Sequence, residues 1–303
     1  MTRLVVVGAG GQLGSRVLHH ADGAEPVQGV DWRDSDAARR TLRLHALRAA
    51  EAGSIVVWCA GAGVVGASED EMAREVAHLG AFLDSLVEGA ARPLGLVLTS
   101  SAGGVHGGTD GVVHEATPPC PISAYGRGKV EQEELAVAWS LRHGVPVVIA
   151  RVSNIYGPGA RRDGRAGLVT TIVRRTLEHR PVPLYMPLDT LRDYVYVDDA
   201  ALMLLGATAD IASISGPRTT LVVSERPTSI GAMLSEVGRV LHRRPLVAHG
   251  SDARSQHQPG RTVFRRRDPR GAPPPPTTPL AVGIHRLVLA EAVATYSPGT
   301  RGA

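Results

Sequence analysis

One lysine stands out among the residues of this chain that could take part in catalysis. The chain has 303 residues and 33 basic side chains, and 32 of these are arginine, so Lys129 in SAYGRGKVEQEE (123–134) is the only lysine. It follows Tyr125 by four residues, a spacing that places both side chains on one face of a helix. With six tyrosines in 303 residues, a lone lysine would stand four residues after one of them at only 6 positions. A surface lysine that follows a tyrosine by chance is therefore the poorer explanation.

A tyrosine and a lysine in this arrangement suit proton transfer. An ammonium close to a phenol favours the phenolate, which can act as a general base. The ammonium is also a compact charge with three donors that can bind ribose hydroxyls, whereas the planar guanidinium of arginine suits carboxylates and phosphates. Ser101 ends an apolar segment 24 residues before Tyr125. A serine at a strand end is commonly structural, but beside this pair its hydroxyl could polarise the same substrate oxygen.

A glycine-rich segment opens the chain. GAGGQLG (8–14) follows the apolar run Leu4–Val7 and precedes a helix predicted to end at about His20. Its glycines would let the backbone turn tightly and approach a pyrophosphate at the N-terminus of that helix. Alone, such a pattern can equally be a plain turn. Asp31 lies 17 residues beyond Gly14, at the end of a predicted strand EPVQGVD, where a carboxylate could bind the adenosine ribose.

These two features together predict a dinucleotide site. A carboxylate repels a 2′-phosphate, so Asp31 favours NAD, although Arg33 could accept that phosphate and NADP stays open. The chain between Asp31 and the next predicted strand (54–61) is short. One element is therefore expected to be missing or abbreviated, and VQGVDWRD also resembles the third strand of such folds.

Alternating apolar runs and amphipathic segments indicate an α/β fold. Strands are predicted at 4–7, 25–31, 54–61, 94–101 and 145–154, and helices at 37–52, 69–88 and 130–143. This alternation predicts a doubly wound, Rossmann-like parallel sheet. Asn154, the only asparagine, ends the last of these strands at the edge where open α/β sheets bind ligands. It could also simply form the turn before YGPG.

The pattern loosens after about residue 160 and predicts a smaller, interleaved C-terminal lobe. Helices are expected at 168–179 and 229–242, a strand at 193–197 and a proline-rich surface loop at 271–279. The dinucleotide-binding domain is assigned to 1–160 with a return segment at about 190–206. The substrate-binding lobe is assigned to 161–189 and 207–303.

Composition excludes several other classes of protein. The net charge is only +4, and the run Arg265–Arg267 has no interleaved aromatic residues for stacking on bases, so no nucleic-acid partner is expected. No apolar run is long enough to span a bilayer, and no signal peptide is evident. Cys59 and Cys120 match no metal or redox spacing. A cytoplasmic, soluble protein with free thiols and no metal is expected.

Five segments, in this order and spacing, resemble the extended short-chain dehydrogenase/reductase family: GAGGQLG, LTSSAGGVHG, PISAYGRGK, ARVSNIYGPG and LRDYVYVDDAA. Within that family the chain is most similar to the NAD-dependent nucleotide-sugar epimerase/dehydratase group. The resemblance runs from residue 3 to about 245, with a weaker similarity in TTPLAVGIHRLV. It implies a Rossmann-like fold, an NAD cofactor and a nucleotide-sugar substrate, and a homodimer is expected.

The resemblance also implies roles for individual residues. Tyr125 would be the catalytic acid/base, Lys129 its partner and ribose anchor, and Ser101 the hydroxyl that orients the reacting oxygen. Asn154 would contact the substrate, Arg192 a phosphate of it, and Arg261 a second phosphate. The cofactor would lie against Gly8, Gly11, Gln12, Leu13, Gly14, Asp31, Trp32, Ala60, Gly61, Tyr125, Lys129 and the backbone of Val152.

Three departures from the family pattern affect the expected chemistry. His106 stands where the family usually has tyrosine, and the helix at 69–88 lacks the usual asparagine, so a proton relay or helix contact there could differ. Ser101 is followed by Ala102 and Gly103, not by the Asp-Glu pair of sugar 4,6-dehydratases. Dehydration needs an acid and a base to move water, so it ranks behind the other activities.

The favoured function is epimerisation of a nucleoside-diphosphate hexose at C4 through a 4-keto intermediate. Tyr125 would remove the C4 hydroxyl proton as hydride passes to NAD, and hydride would return to the other face of the sugar. The alternative is a ketoreductase that delivers hydride once to a 4-keto sugar nucleotide. A 4,6-dehydratase and a non-catalytic dinucleotide-sensing protein are less favoured, since a sensor has no need of an activated phenol.

Overall fold

The computed structural model of the protein describes residues 2–61, 63, 66–160, 166–250, 261–267 and 277–296. The strands are β1 (Leu4–Val7), β2 (Glu25–Pro26), β3 (Ile55–Trp58), β4 (Gly95–Ser101), β5 (Gly111–Val113), β6 (Val147–Val152), β7 (Asn154–Tyr156), β8 (Val182–Leu184), β9 (Leu191–Tyr196), β10 (Pro217–Val222), β11 (Pro227–Ser229), β12 (Val247–His249) and β13 (Thr262–Phe264). The helices are α1 (Gln12–His20), α2 (Ser35–Glu51), α3 (Glu69–Ser85), α4 (Ala102–Val105), α5 (Ala124–His143), α6 (Leu168–Leu177), α7 (Val197–Ala209), α8 (Ile230–Leu241) and α9 (Leu280–Tyr296).

Six strands form one parallel sheet in the order β2-β1-β3-β4-β6-β10. β3 is an uninterrupted apolar run that is buried throughout, as expected for a strand covered on both faces. Helices α2, α3 and α5 cover one face around Phe82 and Trp139. Helices α1 and α7 cover the other face around Val17 and Leu204. The doubly wound α/β fold predicted from the sequence is confirmed.

The edge of this sheet differs from the prediction. The strand expected at 25–31 comprises only Glu25–Pro26, and the chain has left the sheet before it reaches Asp31. The amide of Val27 donates a last hydrogen bond to the carbonyl of Val6 at 2.9 Å, and Gly29 then turns the backbone with a φ of 72°. The prediction that Asp31 ends a strand is therefore wrong.

A single helix connects β2 to β3. The chain leaves the sheet edge at β2, forms α2, and re-enters the sheet on the other side of β1. In the common order of dinucleotide-binding sheets a third strand lies beyond the second, but in the sheet that the described residues form, β2 is the edge. The abbreviated element predicted from the short spacing is confirmed, and Asp31 follows the second strand.

A second lobe is built mainly from the C-terminal part of the chain. β9 pairs with β7 and β11, and two short parallel pairs join β8 to β12 and β5 to β13. Helices α6, α8 and α9 pack around a separate core that includes Ile172, Met233 and Ile284. The chain returns to the large sheet with α7, which lies mostly within the segment expected at about 190–206, and with β10, which lies beyond that segment. Most of the predicted proline-rich loop, residues 271–276, lies outside the described residues.

In the part of the chain that the structure describes, no helix combines the length and the hydropathy that a bilayer span requires.

Helix α5 begins earlier than the predicted 130–143. Ser123 stands at its N-cap and accepts a hydrogen bond from the amide of Gly126 at 3.1 Å, and Gly144 ends it in the left-handed conformation. Tyr125 and Lys129 therefore lie in the first two turns of this helix. Because the helix begins directly after Ser123, both side chains project from regular helix.

A buried polar network joins α5 to the centre of the large sheet. The guanidinium of Arg151, on β6, donates to the Glu133 carboxylate on α5 through Nε at 3.0 Å and Nη2 at 2.7 Å. Ser100 on β4 donates to the same carboxylate at 2.6 Å. Arg151 Nη1 lies 3.1 Å from His106 Nε2. All four side chains are buried, so the ion pair of Arg151 and Glu133 is shielded from water. Each of its two charges is compensated by the other.

We predict that His106 makes the stability of the fold pH-dependent. Burial and the facing Arg151 guanidinium lower the pKa of His106 from 6.5 to about 4. The unfolded chain therefore takes up a proton that the folded chain excludes between pH 6.5 and about 4. The free energy of unfolding should be fully retained above this window and fall within it, by about 3 kcal/mol at most.

Urea denaturation at pH 7 and pH 5 measures this loss. His106→Gln keeps a neutral acceptor near Arg151 and should flatten the dependence, whereas the exposed His285→Gln should leave it as in the wild type. The same pH dependence in all three proteins would contradict the prediction.

Candidate active site

The predicted site residues meet at the carboxyl edge of the large sheet. From β1 the chain passes to β2 on one side, whereas β3, β4 and β6 follow on the other, so the topology switches between β1 and β3. Loops that leave in opposite directions create a crevice there, where open α/β sheets bind ligands. Ser101 and Val152, the last residues of β4 and β6, are paired with each other at this edge.

The glycine-rich turn after β1 has room for backbone only. Gly8 has a φ of 84°, and a Cβ on it would lie 2.5 Å from the amide nitrogen of Ala60, at the end of the neighbouring strand. A Cβ on Gly14 would overlap the carbonyl oxygen of Gly8. Gly11 donates to that carbonyl at 2.9 Å and stands at the N-cap of α1, where it offers no side chain to the first amides. This cradle fits the diphosphate of a dinucleotide.

Gln12 and Leu13 use their side chains for structure. Gln12 Nε2 donates to the carbonyl of Gly157 at 2.8 Å and so ties the glycine-rich turn to the loop after β7. Leu13 is buried in the core beneath α1. Their backbone amides, in the first turn of α1, lack intrahelical acceptors and are the groups suited to a phosphate.

Asp31 and Trp32 lie in an exposed turn between β2 and α2. The Asp31 carboxylate accepts a hydrogen bond from the amide of Arg33 at 3.1 Å, which closes the turn. Trp32 is 40% exposed, and its ring lies edge-on to those of Trp58 and His78, with centroids 6.4 and 5.6 Å away. Trp32 therefore stands at the rim of the core, beside α3.

The structure brings the three predicted catalytic residues together. A Cβ placed on Gly104 would lie 3.1 Å from Ser101 Oγ and 2.8 Å from Tyr125 Cε1, so the absence of a side chain there lets the two approach. Ser101 Oγ accepts from the amide of Gly104 at 3.0 Å, and its own hydrogen can therefore point to a substrate oxygen. Lys129 Nζ lies 5.9 Å from the centroid of the Tyr125 ring.

The ammonium of Lys129 is 5% exposed and is held by two side chains that sequence reasoning missed. It donates to Gln132 Oε1 at 2.9 Å and faces Glu75 Oε2 at 3.9 Å. Gln132 stands three residues further along α5, a spacing visible in the sequence. Glu75 comes from α3, and no local pattern connects it to α5.

Gly61 and Cys59 follow β3 and lie close to the same ammonium. A Cβ on Gly61 would be 3.4 Å from Lys129 Nζ. The backbone just after β3 therefore lies directly beside the lysine ammonium. Burial raises the pKa of the Cys59 thiol to about 12, although the Lys129 charge opposes this. The thiol therefore stays protonated and is no nucleophile at neutral pH.

Three substrate residues are predicted in addition to Ser101, and two of them lie on paired strands of the second lobe. Asn154 on β7 is paired with Tyr194 on β9, and its amide donates to the carbonyl of Asp193 at 2.9 Å. Arg192 on β9 donates to the carbonyl of Leu191 at 2.8 Å, and burial lowers the pKa of its guanidinium. The turn-forming interpretation of Asn154 is therefore wrong, because the residue lies on β7 and its amide donates across to β9.

Arg261 lies beside Arg192 through the backbone. It forms an isolated parallel bridge with Leu191, the residue before Arg192, and its carbonyl accepts from the amide of Gly111 at 2.8 Å. Its side chain is exposed. The two arginines predicted to contact phosphates therefore come from neighbouring segments.

Asp193 holds this part of the lobe against the large sheet. Its buried carboxylate accepts from Ser153 Oγ at 2.6 Å and from the amide and hydroxyl of Ser224 at 2.9 and 2.8 Å. Ser153 directly follows β6, and Ser224 lies just beyond β10. This carboxylate is a further site-forming residue that the sequence signalled only by its position in RDYVYVDD.

Known proteins share both sequence and structure with this chain. The sequence matches the model of the NAD dependent epimerase/dehydratase family over residues 4–222. It is 36% identical over 96 residues to a dTDP-L-rhamnose 4-epimerase of Burkholderia thailandensis, which covers 31% of this chain and 26% of that protein. It is 35% identical over 97 residues to a probable dTDP-glucose 4,6-dehydratase of Sinorhizobium fredii, which covers 32% of this chain and 27% of that protein. The chain thus spans about a quarter of the length of these curated relatives.

A solved structure shares the fold over almost the whole chain. UDP-glucuronic acid 4-epimerase from Bacillus cereus, solved with UDP-glucuronic acid and NAD, superposes with a TM-score of 0.79 at 18% identity, over 97% of this chain and 100% of that one. At this identity the likeness concerns the fold alone. The family match covers most of the chain, and it includes the glycine-rich turn and all three catalytic candidates. The resemblance predicted from five sequence segments is therefore confirmed, and the chain belongs to the NAD-dependent epimerase/dehydratase family.

Proposed function

We propose that the chain is an NAD-dependent enzyme that epimerises a nucleoside-diphosphate hexose at C4 through a 4-keto intermediate. The observation that carries this proposal is the convergence of Ser101, Tyr125 and Lys129 beside the glycine-rich turn. A phenol, a hydroxyl and an ammonium at one sheet edge can move a proton to or from a sugar oxygen. The backbone cradle next to them suits a dinucleotide.

Each catalytic candidate has a separate task in this proposal. Tyr125 takes the proton of the C4 hydroxyl and later returns it, and Ser101 donates a hydrogen bond to the same oxygen. Lys129 keeps the phenolate favourable and binds a ribose hydroxyl. Bound NAD would supply the acceptance and return of hydride at the sugar carbon. Gly8, Gly11 and Gly14 would hold its diphosphate.

The second lobe supports a nucleotide-sugar substrate. Arg192 and Arg261 provide two guanidiniums on neighbouring segments, which suits the two phosphates of such a substrate. Asn154 keeps its carbonyl oxygen for a hydroxyl, since its amide hydrogen serves the backbone. Relatives named for dTDP-L-rhamnose and UDP-glucuronic acid fit the same substrate class.

The residues after Ser101 argue against a dehydratase. α4 begins with Ala102 and Gly103, so this helix presents no carboxyl group next to the catalytic hydroxyl. A ketoreductase stays the second candidate, because reduction of a 4-keto sugar uses the same three side chains. A homodimer and a cytoplasmic location stay predictions from the sequence.

Replacement of the phenol should remove turnover and keep cofactor binding. In Tyr125→Phe the ring packs unchanged, but no group transfers the proton, so kcat should fall by about 10²–10⁴-fold. Steady-state kinetics and NAD titration measure the two effects separately. Turnover within about threefold of the wild type would contradict the assignment of Tyr125.

Asp31 should make the protein prefer NAD to NADP. A carboxylate that faces a 2′-phosphate is repelled by it, so NAD should bind about tenfold more tightly, which corresponds to about 1.4 kcal/mol. Asp31→Ala should narrow this difference, and Asp22→Ala, another acid outside the helices, should leave it unchanged. Titration of both cofactors with each protein gives the answer. Equal affinities in the wild type would indicate that Arg33 governs this end of the cleft.

Isotope retention separates the epimerase from the ketoreductase. An epimerase returns its hydride in each cycle, so it should interconvert two C4-epimeric sugar nucleotides without net change in absorbance at 340 nm. Deuterium at C4 should stay within the same sugar molecule. Consumption of NADH mole for mole with a 4-keto sugar nucleotide, without formation of an epimer, would establish the ketoreductase instead.

A further inference from the structure

The contact between α3 and α5 is close enough to bring polar groups of the two helices together. Gly128 stands next to Lys129, and a Cβ on it would lie 2.7 Å from the Cβ of Met72 on α3. The missing side chain therefore lets α3 approach α5 at this point. Glu75 lies three residues after Met72 on the same face of α3, which places its carboxylate opposite Lys129.

The Glu75 carboxylate contacts two parts of the site at once. Oε1 accepts a hydrogen bond from the amide of Gly63 at 2.7 Å, and Oε2 lies 3.9 Å from Lys129 Nζ. The side chain of Lys129 is buried at 7% exposure, and that of Glu75 is partly buried at 16%. A Cβ on Gly61 would be 3.2 Å from Glu75 Oε2, so the chain that leaves β3 lies directly against this carboxylate. Glu75 thus links the lysine to the backbone after β3.

The other groups around the ammonium cannot replace this carboxylate. Gln132 accepts from Lys129 Nζ but carries no charge. Cys59 beyond β3 is protonated, because burial raises the pKa of its thiol to about 12. Tyr125, on the same helix as Lys129, presents the face of its ring at 5.9 Å. Among the described residues, Glu75 is the acidic side chain that lies within 4.0 Å of Lys129 Nζ.

We propose that Glu75 is a positioning residue for the cofactor site: its carboxylate orients the Lys129 ammonium and fixes the Gly61 and Gly63 backbone against which the cofactor lies. Glu75 lies on α3, the helix in which the family pattern usually has an asparagine and this chain has none. Because the negative charge of the carboxylate acts through Lys129, loss of that charge alone should weaken NAD binding only while the lysine is present. This inference rests on the proposed function in that it takes NAD as the ligand of Lys129.

A double-mutant cycle on NAD affinity tests the proposal without any sugar substrate. Glu75→Gln keeps the size of the side chain and an acceptor for Gly63, but removes the charge that faces Lys129. It should raise the Kd of NAD by about 5- to 20-fold. Made in the Lys129→Met protein, the same change should alter the Kd by less than about twofold. Asp84→Asn, an equal charge change at an exposed position of α3, should leave the Kd as in the wild type.

Glu75→Asp provides a second, milder variant. It keeps the charge but shortens the side chain, so its Kd should lie between those of the wild type and Glu75→Gln, with a melting temperature close to that of the wild type. If Glu75→Gln does not fold, this variant carries the test alone. An unchanged Kd in the folded variant, or an equal effect of Glu75→Gln with and without Lys129, would overturn the inference.

The outcomes also separate this inference from the proposed function. A wild-type protein that binds no NAD would overturn the proposed function, and the inference with it. Wild-type binding with no coupling between Glu75 and Lys129 would overturn the inference alone. Coupling without turnover of any sugar nucleotide would support the positioning role and count against the epimerase.

Discussion

The buried ion pair between Arg151 and Glu133 fixes helix α5, which carries Tyr125 and Lys129, on the large sheet. Two charged groups removed from water are stable only when each satisfies the other, and here a forked guanidinium meets both carboxylate oxygens. Each member neighbours a site residue in the chain. Arg151 precedes Val152, and Glu133 stands one turn after Lys129. The hydrogen bond from Ser100, which precedes Ser101, extends the same constraint to β4.

Small residues set the remaining distances. Gly8 allows the turn after β1 to approach β3, Gly104 allows Ser101 to approach Tyr125, and Gly128 allows α3 to approach α5. At each position a Cβ would require backbone or a neighbouring side chain to move. The polar groups of the site therefore converge because the backbone itself can come close, and the apolar strands beneath keep that backbone rigid.

The second lobe depends on the large sheet for its position. β7 begins two residues after β6 ends, and Asp193 holds β9 to the ends of β6 and β10 through two serines. Through this connection β9, which carries Arg192, is fixed next to the sheet edge that carries the catalytic candidates.

The sequence by itself determined the parts of this protein that depend on local pattern. Apolar runs predicted the strands because parallel strands are buried on both faces, and the spacing of Tyr125 and Lys129 predicted their common helical face. The glycines of the first turn were recognisable because only they allow such a close approach. Five segments in order were enough to indicate the family.

Tertiary structure alone decided what depends on contacts between distant segments. The strand expected to end at Asp31 stops at Pro26, because the backbone turns away from the sheet at Gly29. His106 stays neutral at pH values below 6.5 because the fold buries it against Arg151, which lowers its pKa to about 4. Glu75 lies close to Lys129 although 54 residues separate them in the chain. Nothing in the sequence of α3 distinguishes Glu75 from the other acidic residues of that helix. Spacing along the chain reports which side chains share an element, whereas charge pairing and burial depend on which elements pack together.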